Sequence, residues 1–362
     1  MLDVAIVGGG PAGATLARLL AQSGAAVALV ERARLPRYKP CGGGLTARAL
    51  RRLPEAARRK IRLRSPGAEV VYRGHRLEVR SASPVVAMVM RDEFDYCLVE
   101  LAAAAGASVR EGAAVTAACP VPGGVEIEAG GQRLRARYLV AADGATGPFS
   151  GALGAAVGLP GRPMRVGALE VEVLDPGAAW GPMLRGDFDL VRHGYGWVFP
   201  KAGVLSVGVA SWADVGGRVL REALAAYLRR VGLADRRVLR LHGHPIPVGG
   251  RLPPGRLVST CALRLGDAAG MADPLFGEGI SHAIESAHLA APALLAGDLP
   301  LYAEAVRRQI YGRFRLAAAC ARVFYPAPGP WFALAAALPA LGDRFFTLAI
   351  GDGRGLADAA AL

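Results

Sequence analysis

Lysine and long apolar runs without proline are scarce in this sequence, and the basic and apolar patterns each exclude a class of function. Lysine stands only at positions 39, 60 and 201 among 43 basic residues. The arginines are mostly scattered, so the net charge of +13 does not form the concentrated basic surface typical of nucleic-acid binding, and we expect no such partner. The longest uncharged stretch, residues 323–342, is broken by four prolines, which excludes a transmembrane helix of about 20 residues.

Cysteine is also rare, and no two of the five cysteines have C-x-x-C spacing. His242 and His244 alternate in a predicted strand without a third ligand at metal spacing, so we expect no metal site. Met1 leads almost directly into an apolar segment rather than a signal peptide. These features predict a reducing, cytoplasmic setting.

Two surface features leave alternatives open. Basic residues cluster between Arg48 and Arg64, which favours a solvated face but also fits a surface for anionic lipid or diphosphate. The apolar segment from Trp331 to Leu338 fits either a buried C-terminal helix or a helix lying in a membrane interface. Peripheral contact with the inner face of the membrane therefore stays open.

The N-terminus carries a dinucleotide-binding pattern. An apolar strand, residues 2–7, is followed by the turn Gly8-Gly9-Gly10-Pro11-Ala12-Gly13, a helical pattern to residue 24 and a second strand ending at Glu31. The first glycine permits the tight turn, Gly10 lets a pyrophosphate approach the backbone, and Gly13 lets helix and strand pack closely. Glu31 is placed to bind a ribose, and we include the neighbouring Arg32 and, in the turn, Ala12 as nucleotide-binding residues. This half-site alone fits FAD and NAD equally.

A second glycine-rich segment lies far along the chain. Asp267 follows a short apolar segment and a glycine, which suits it to bind a ribityl hydroxyl. The loop after it contains Gly277 and Gly279 and leads into a helix at Ile280, whose N-terminus would stabilise a reduced, anionic flavin. Glu278 is best explained as a helix-N-terminal acid, with a functional carboxylate as the alternative. These positions favour FAD.

Four stretches together resemble the p-hydroxybenzoate-hydroxylase-like flavoprotein superfamily over roughly residues 1–300. They are the glycine turn with Glu31, the Arg91–Asp95 segment, Asp143-Gly144, and residues 266–280. The resemblance implies that Arg91 lies near the flavin, that Asp143 and Gly144 contact the nucleotide or close the domain, and that Asp267 meets the ribityl chain. The family's Ser-x-x-Arg ending is absent at residues 147–150, so a nicotinamide-handling role of that loop lacks support.

Two further stretches resemble the geranylgeranyl reductase family. Pro40-Cys41-Gly42-Gly43 is similar to its P-x-C-G-G signature without the intervening residue, and residues 195–200 are similar to its Y-x-W-x-F-P strand. The resemblance implies reduction of isolated C=C bonds in a long isoprenoid chain, with hydride from reduced FAD. It also implies that Cys41, Gly42 and Gly43 pass over the flavin.

The resemblance also assigns residues to the reaction. Cys41, Tyr195 and Trp197 become candidate catalytic residues, and Trp197, Phe199 and Pro274 become candidate walls of a substrate channel. Cys41 would donate a proton or shape the entrance, with a small buried apolar residue as the alternative. Without the resemblance, the three alternating aromatic residues would be interpreted as the core face of a strand.

The substrate class this implies is a prenylated lipid, a quinone or a chlorophyll precursor. A second G-x-G-x-x-G unit is lacking, so the external electron donor is either transiently bound NADPH or a ferredoxin-like protein. The alternatives are an aromatic monooxygenase or a flavin halogenase of the same fold. A non-enzymatic, flavin-binding, membrane-associated protein is the alternative from a different class.

The expected fold is α/β: a Rossmann-like FAD-binding domain with an inserted antiparallel-sheet substrate domain and a C-terminal helical tail. We predict a discontinuous FAD-binding domain over residues 1–60, 91–150 and 255–298. The predicted substrate domain comprises 61–90 and 151–254. The predicted helical tail covers 299–362.

Overall fold

The computed structural model describes residues 1–80, 86–249 and 256–338. The chain divides into two compact units, each assembled from three segments. The first unit contains residues 1–38, 91–165 and 247–316, and the second contains 39–90, 166–246 and 317–362. The predicted domain boundary at 254/255 and the predicted tail beyond residue 338 lie outside the described residues.

The elements of both units follow one another in mixed order along the chain. The strands are β1 (Leu2–Val7), β2 (Val27–Val30), β3 (Gly44–Thr46), β4 (Ile61–Ser65), β5 (Gly67–Tyr72), β6 (His75–Arg80), β7 (Val86–Val89), β8 (Ser108–Arg110), β9 (Val115–Val121), β10 (Gly124–Ala129), β11 (Gln132–Ala141), β12 (Gly167–Leu174), β13 (Leu184–Asp187), β14 (Gly194–Pro200), β15 (Val204–Ser211), β16 (Val238–Gly243) and β17 (Ala262–Arg264). The helices are α1 (Pro11–Gln22), α2 (Ala47–Leu50), α3 (Glu55–Arg58), α4 (Arg91–Ala104), α5 (Ala152–Ala156), α6 (Gly216–Arg230), α7 (Ile280–Ala296), α8 (Leu299–Gln309), α9 (Tyr311–Phe324) and α10 (Pro328–Ala337).

The first unit is built on a mixed sheet in the order β8-β2-β1-β11-β10-β9, with β17 added beside β11. The pairs β8–β2, β2–β1, β1–β11 and β11–β17 are parallel, whereas β9, β10 and β11 form an antiparallel meander. All four residues of β2 and the last four of β1 are buried, as expected for parallel strands covered on both faces. Helix α1 packs against both α4 and α7. This is the predicted Rossmann-like arrangement.

The second unit contains a largely antiparallel sheet in the order β16-β12-β15-β14-β13-β5-β6, whose β13–β5 pair is parallel. One face of this sheet is a core of aliphatic residues from β12, β14 and β15, including Val171, Val198 and Val207, which packs with α6 residues such as Leu224 and Tyr227. Because side chains alternate along each strand, the intervening residues lie on the other face. That face carries the predicted aromatic row.

A smaller antiparallel sheet, β3-β7-β4, also belongs to the second unit. Gly44, Leu45 and Thr46 pair with Met88, Ala87 and Val86 respectively. These long-range pairings place residues 39–60 in the second unit, whereas the sequence grouped them with the flavin-binding segments. Local patterning carries no information on such a pairing, because it depends on a strand 40 residues away.

The C-terminal apolar segment forms α10, but the helix is not buried. Phe332 is buried and packs against Tyr72 with the rings tilted, at 5.3 Å between ring centroids. Trp331 and Leu334 are 37% and 41% exposed, and Leu338, just beyond the helix, is 53% exposed. The alternative of a buried helix is therefore wrong for most of its residues. Within the described ranges, none of the helices is both long and apolar enough to cross a membrane.

Candidate functional site

The glycine turn between β1 and α1 has the geometry of a nucleotide-binding turn. Gly8 has φ +111°, and a Cβ there would lie 2.2 Å from the carbonyl oxygen of Ala142. A Cβ on Gly13 would lie 2.0 Å from the carbonyl oxygen of Gly8, so helix and strand are as close as the sequence predicts. Pro11 opens α1, whose first N–H groups have no intrahelical acceptor and are available to an anion.

Glu31 closes this turn on its far side. Its carboxylate accepts hydrogen bonds from the backbone N–H groups of Gly9, at 2.9 Å, and Ala33, at 3.0 Å. Arg37 lies 3.4 Å from the same carboxylate, and its guanidinium would be 3.8 Å from a Cβ on Gly10. A cation beside the open part of a phosphate-binding turn suits a pyrophosphate, so Arg37 is a candidate site residue that the sequence did not reveal.

Arg91 is held by a bidentate ion pair rather than left free. Its Nε and Nη2 both donate to the buried carboxylate of Asp95, at 2.8 Å each. Arg37 donates to the same carboxylate at 3.1 Å. The Arg91–Asp95 segment therefore connects to the glycine turn through Arg37, and its expected proximity to the flavin stays a prediction.

Asp143 follows β11 and closes the next loop. One carboxylate oxygen accepts the Phe149 N–H at 2.8 Å, and a Cβ on Gly147 would overlap that carboxylate. The other oxygen, Oδ1, is buried and has no hydrogen-bond partner among the described residues. Burial raises the pKa of Asp143 to about 6, although the Phe149 N–H and the charges of Arg264 and Arg32 partly offset this effect. The structure thus shows the loop-closing role and leaves one acceptor available to a ligand.

Two arginines contact the loop after Asp143, although residues 147–150 of the loop contain no arginine. The fully buried Arg264, from β17, donates to the carbonyl oxygens of Phe149, at 2.9 Å, and Leu159. Arg162 donates to the carbonyl oxygen of Ser150 at 2.7 Å. Both guanidinium groups bind backbone carbonyls, so their observed role is to hold the loop that contains Asp143.

The segment after β17 meets the N-terminal turn. Gly266 has φ +51°, and a Cβ there would lie 3.2 Å from the Cβ of Ala12 and 3.1 Å from that of Ala283 in α7. Asp267 lies beside the start of α7, since a Cβ on Gly279 would be 3.3 Å from its Oδ1. Ile280, the first residue of α7, is buried. The two predicted flavin half-sites are therefore adjacent within the first unit.

Two acidic side chains, Asp273 and Glu278, accept backbone hydrogen bonds in the loop before α7 and at the start of that helix. Asp273 accepts the N–H groups of Leu275 and Phe276 at 2.8 and 2.9 Å, and the N–H of Gly277, with φ +72°, donates to the Asp273 carbonyl oxygen. Glu278 accepts the Ser281 N–H at 2.7 Å and lies 3.2 Å from His282. Glu278 therefore acts as the helix-N-terminal acid that the sequence favoured.

These features fit FAD. A turn that excludes side chains at Gly8 and Gly13 and the N-terminus of α1 suit the pyrophosphate, and Glu31 suits the ribose. The unpartnered Oδ1 of Asp143 and the carboxylate of Asp267 suit the hydroxyl groups of the cofactor. Within the described ranges, no group of three or more His, Cys, Asp or Glu side chains is placed to hold a metal ion.

The second unit brings together the two stretches that resemble geranylgeranyl reductases, although 150 residues separate them. A Cβ on Gly42 would lie 2.6 Å from the ring of Phe199. Lys201 Nζ donates to the carbonyl oxygen of Cys41 at 2.9 Å. Gly43 has φ +79°, and a Cβ there would be 2.3 Å from the Val89 carbonyl oxygen. Both glycines thus have a packing role in this unit, and their predicted contact with the flavin stays a prediction.

The aromatic row lies on one face of β14, as predicted. The ring centroids of Tyr195 and Trp197 are 5.9 Å apart, and those of Trp197 and Phe199 are 6.2 Å apart. Tyr195 and Trp197 are buried. Phe188 stacks on Tyr195 at 5.4 Å and extends the aromatic surface. Pro274, the other predicted channel residue, is buried within the first unit.

Acidic residues of β12 share the face of the aromatic row. The register aligns Trp197 with Gly208 and Glu170, and Phe199 with Ser206 and Glu172, in two rows across β14, β15 and β12. The Trp197 indole lies over Gly208, where a Cβ would be 2.1 Å from the ring. Its Nε1 donates to Ser206 Oγ at 3.1 Å.

Comparison with known proteins identifies the family. Residues 1–187 match the family described as "FAD binding domain". A menaquinone reductase of Mycolicibacterium smegmatis is 31% identical over 84% of this chain and 78% of its own length. A chloroplastic geranylgeranyl diphosphate reductase of rice (Oryza sativa subsp. japonica) is 30% identical over 82% of this chain and 67% of its own length. The chain belongs to the geranylgeranyl reductase family of FAD-dependent oxidoreductases.

Solved structures agree with this membership. A geranylgeranyl bacteriochlorophyll reductase-like protein of Thermoplasma acidophilum matches with a TM-score of 0.74 and 26% identity over 88% of this chain and 87% of that chain. Flavin-dependent halogenases also share the fold, but at identities of 18% and 21%, which show the fold alone. FAD is therefore the cofactor of this geranylgeranyl reductase family member.

Two buried acidic residues of this family member, both beside the aromatic row, were not predicted from the sequence. Glu170 and Glu172 alternate with valines in β12, a pattern that ordinarily indicates a solvent-exposed polar face. Their burial, at 5% and 3% exposed, follows from the aromatic side chains that share their face. The sequence does contain one indication of this arrangement. Acidic residues at every second position of 167–174 and aromatic residues at every second position of 194–200 each lie on one face of a strand.

Proposed function

We propose that this protein is a reductase that saturates isolated C=C bonds of a polyprenyl chain carried by a lipid or quinone. The observation that carries the proposal is the meeting of the Cys41–Gly43 loop with the aromatic row of β14 in one unit. Gly42 lies against Phe199, and Lys201 binds the Cys41 carbonyl oxygen at 2.9 Å. The reductase relatives support the reaction class, and the external electron donor is NADPH or a ferredoxin-like protein.

The chemistry requires a hydride and a proton at neighbouring carbons of an unactivated alkene. The bound, reduced FAD supplies the hydride. An alkene of this kind accepts hydride poorly unless protonation of one carbon develops positive charge on its neighbour, which then receives the hydride, so the site must also supply a proton and stabilise a cation. The electron-rich faces of Tyr195, Trp197 and Phe199 suit that positive charge, and their apolar surfaces keep water away.

Cys41 is the proposed proton source. Its thiol is partly buried, and the N–H of Gly43 lies 3.4 Å from Sγ. A thiol has one proton to give and recovers it from solvent after each turnover, so the reaction balances as one hydride and one proton added across the double bond. Asp143, Asp267 and the N-terminus of α7 are proposed to hold and orient the cofactor in the first unit.

The test is a single-turnover experiment. The purified protein is reduced with dithionite without oxygen and mixed with a geranylgeranyl lipid or menaquinone. We expect flavin reoxidation and a product mass increased by two per bond. Cys41→Ala should bind FAD normally and reduce the alkene at least tenfold more slowly, since general acid catalysis contributes about 10²–10⁴-fold. Cys320→Ala, which removes another partly buried thiol of the same unit, is the matched control.

The competing functions give different results in the same apparatus. Rapid, oxygen-dependent turnover of an aromatic substrate, with no reoxidation by any prenyl compound, would favour a monooxygenase or halogenase. Two of the three lysines already have partners in their own unit, because Lys201 binds Glu172 and Cys41 and Lys39 binds His244. No specific observation favours the halogenase reaction.

We also propose that α10 contacts an anionic membrane surface from which the substrate is taken. Trp331 and Leu334 are spaced i and i+3 on α10, and Leu338 directly follows its last residue. All three are exposed, as are Val323 and Arg322 of α9. An apolar face with a nearby arginine fits an interfacial helix at anionic lipid. Leu334→Ser with Leu338→Ser should lower co-sedimentation with phosphatidylglycerol vesicles, whereas Leu301→Ser, at an exposed leucine of the first unit, should not.

A further inference from the structure

The aromatic row continues beyond Tyr195 into a cluster of four rings within the second unit. Phe188 stacks on Tyr195 at 5.4 Å between ring centroids, and Trp212, directly after β15, lies 5.9 Å from Tyr195. Tyr325, directly after α9, stacks on Trp212 at 4.9 Å and lies 6.5 Å from Phe188. Each ring of this four-ring cluster therefore contacts two others, and the cluster lies at the Tyr195 end of the row.

Trp212 brings a buried polar atom without a partner into the four-ring cluster. Its backbone N–H donates to the carbonyl oxygen of His193 at 2.9 Å, which fixes the residue at the end of β15. Its indole Nε1 is buried and has no hydrogen-bond partner among the described residues. The indole of Trp197 shows the ordinary outcome, since its Nε1 donates to Ser206 Oγ at 3.1 Å. A buried donor without an acceptor is unfavourable, so we expect an acceptor from a bound molecule at Trp212.

The surroundings of Trp212 select the kind of acceptor. An indole N–H is neutral and donates one hydrogen bond, so it suits one neutral oxygen. The rings of Phe188, Tyr195 and Tyr325 favour a flat partner that packs against them. A diphosphate would bring several negative charges among aromatic rings, and a hydrocarbon end would leave the N–H unpaired. A carbonyl oxygen on a flat ring meets both requirements.

The four-ring cluster and the Cys41 loop lie at opposite ends of the aromatic row. Phe199, at one end, lies against Gly42, which follows Cys41, whereas Tyr195, at the other end, belongs to the cluster. Four residues along a strand span about 13 Å. A prenyl chain attached to a ring at the cluster would therefore pass over Trp197 before it reaches the Cys41 loop.

We propose that the four-ring cluster binds the quinone ring of a prenylated quinone, and that the Trp212 indole N–H donates to one of its carbonyl oxygens. The path of the chain toward Cys41 rests on the proposed function, which this inference narrows to one substrate class. Binding of the ring does not depend on turnover. A prenylated quinone is thus favoured over a lipid whose chain carries a phosphate.

Isothermal titration calorimetry of the FAD-bound, oxidised protein in one detergent tests this hydrogen bond without turnover. The probes are menaquinone with two isoprene units and its geranyl-methylnaphthalene analogue, which has the same rings and chain without the carbonyl oxygens. The wild type should bind the quinone about tenfold more tightly, because one hydrogen bond in a buried site is gained. Trp212→Phe should bind the two probes within about twofold of each other, because the donor is lost.

Trp180→Phe is the matched control. The Trp180 indole N–H already donates to the Met183 carbonyl oxygen at 3.2 Å within the same unit, so its loss should leave the preference for the quinone unchanged. A preference that persists in Trp212→Phe would overturn the proposal. A wild type that binds both probes equally, or neither, would overturn it as well.

Nuclear magnetic resonance of the wild type covers the case in which Trp212→Phe does not fold. The chain has four tryptophans, and Trp180→Phe, Trp197→Phe and Trp331→Phe assign three of the four indole N–H resonances. The remaining resonance, that of Trp212, should shift downfield with the quinone and not with the naphthalene analogue. An equal response to both probes would contradict the hydrogen bond.

Turnover separates this inference from the proposed function. If the quinone binds through Trp212 but no prenyl compound reoxidises the reduced flavin, the proposed function fails and the quinone site stands. If a geranylgeranyl lipid is reduced and binding does not depend on the carbonyl oxygens, the proposed function stands and the quinone site fails.

Discussion

Asp143→Asn tests whether the ionised carboxylate of Asp143 lowers the free energy of unfolding of the flavin-binding unit. The pKa of Asp143 rises from an ordinary 3.8 to about 6, chiefly because the group is buried. Each tenfold change in acidity corresponds to ~1.4 kcal/mol, so the ionised carboxylate destabilises the folded state by about 3 kcal/mol. Asparagine removes the charge and still offers an oxygen to the Phe149 N–H.

The sign of the pH dependence follows from proton binding. Between pH 3.8 and about 6 the folded protein binds more protons at this site than the unfolded chain does. Stability contributed by the site is therefore greatest below pH 4 and is lost as the pH rises through 6. The stability advantage of Asp143→Asn over the wild type should be near zero at pH 4 and reach about 3 kcal/mol at pH 7.

Urea unfolding of the FAD-free protein, followed by circular dichroism between pH 4 and 8, measures this difference. Asp298→Asn, at an exposed position of the same unit, controls for the loss of one negative charge. A stability difference that does not change with pH would refute the reasoning. In the same variant, FAD affinity should fall about tenfold, because a charged hydrogen-bond acceptor is lost at the unpartnered Oδ1.

Three further changes address the rest of the site. Asp267→Ala should weaken FAD binding, since a carboxylate beside the start of α7 is removed, and the flavin absorbance of the purified protein reports the loss. Gly13→Ala should abolish FAD retention, because the new Cβ would lie 2.0 Å from the Gly8 carbonyl oxygen, whereas Gly217→Ala, with no backbone contact, should retain the cofactor. Gly208→Ala should displace the Trp197 indole and change tryptophan fluorescence, and unchanged emission there would contradict the observed packing.

The local flavin motifs could be predicted from the sequence because each one depends on neighbouring residues. A turn that needs φ above zero at Gly8, a proline that opens α1 and an acid that ends a strand are all short-range requirements. The alternation of Tyr195 and Trp197 is likewise a property of one strand, and the structure confirms their shared face.

Residues that act across the chain could not be predicted in this way. Arg264 binds the loop after β11 from more than 100 residues away, and no local sequence pattern predicts this contact. Glu170 looks like a solvent-facing residue until the pairing of β12, β15 and β14 places it on the aromatic face. The assignment of residues 39–60 failed to anticipate β3 for the same reason, because its partner is β7.

The discontinuity of the first unit has a consequence for the order in which the protein is made. Strand β1 pairs with β11, which is synthesised more than 120 residues later, and β11 in turn pairs with β17 at Ala262–Arg264. By then the ribosome has already produced the segments of the second unit up to residue 246. Nonlocal pairings of this kind form late, so the sheet of the first unit is completed only after most of the second unit has left the ribosome. A nascent chain that ends before residue 262 therefore lacks both β17 and Asp267, and we expect it to leave the ribosome without FAD.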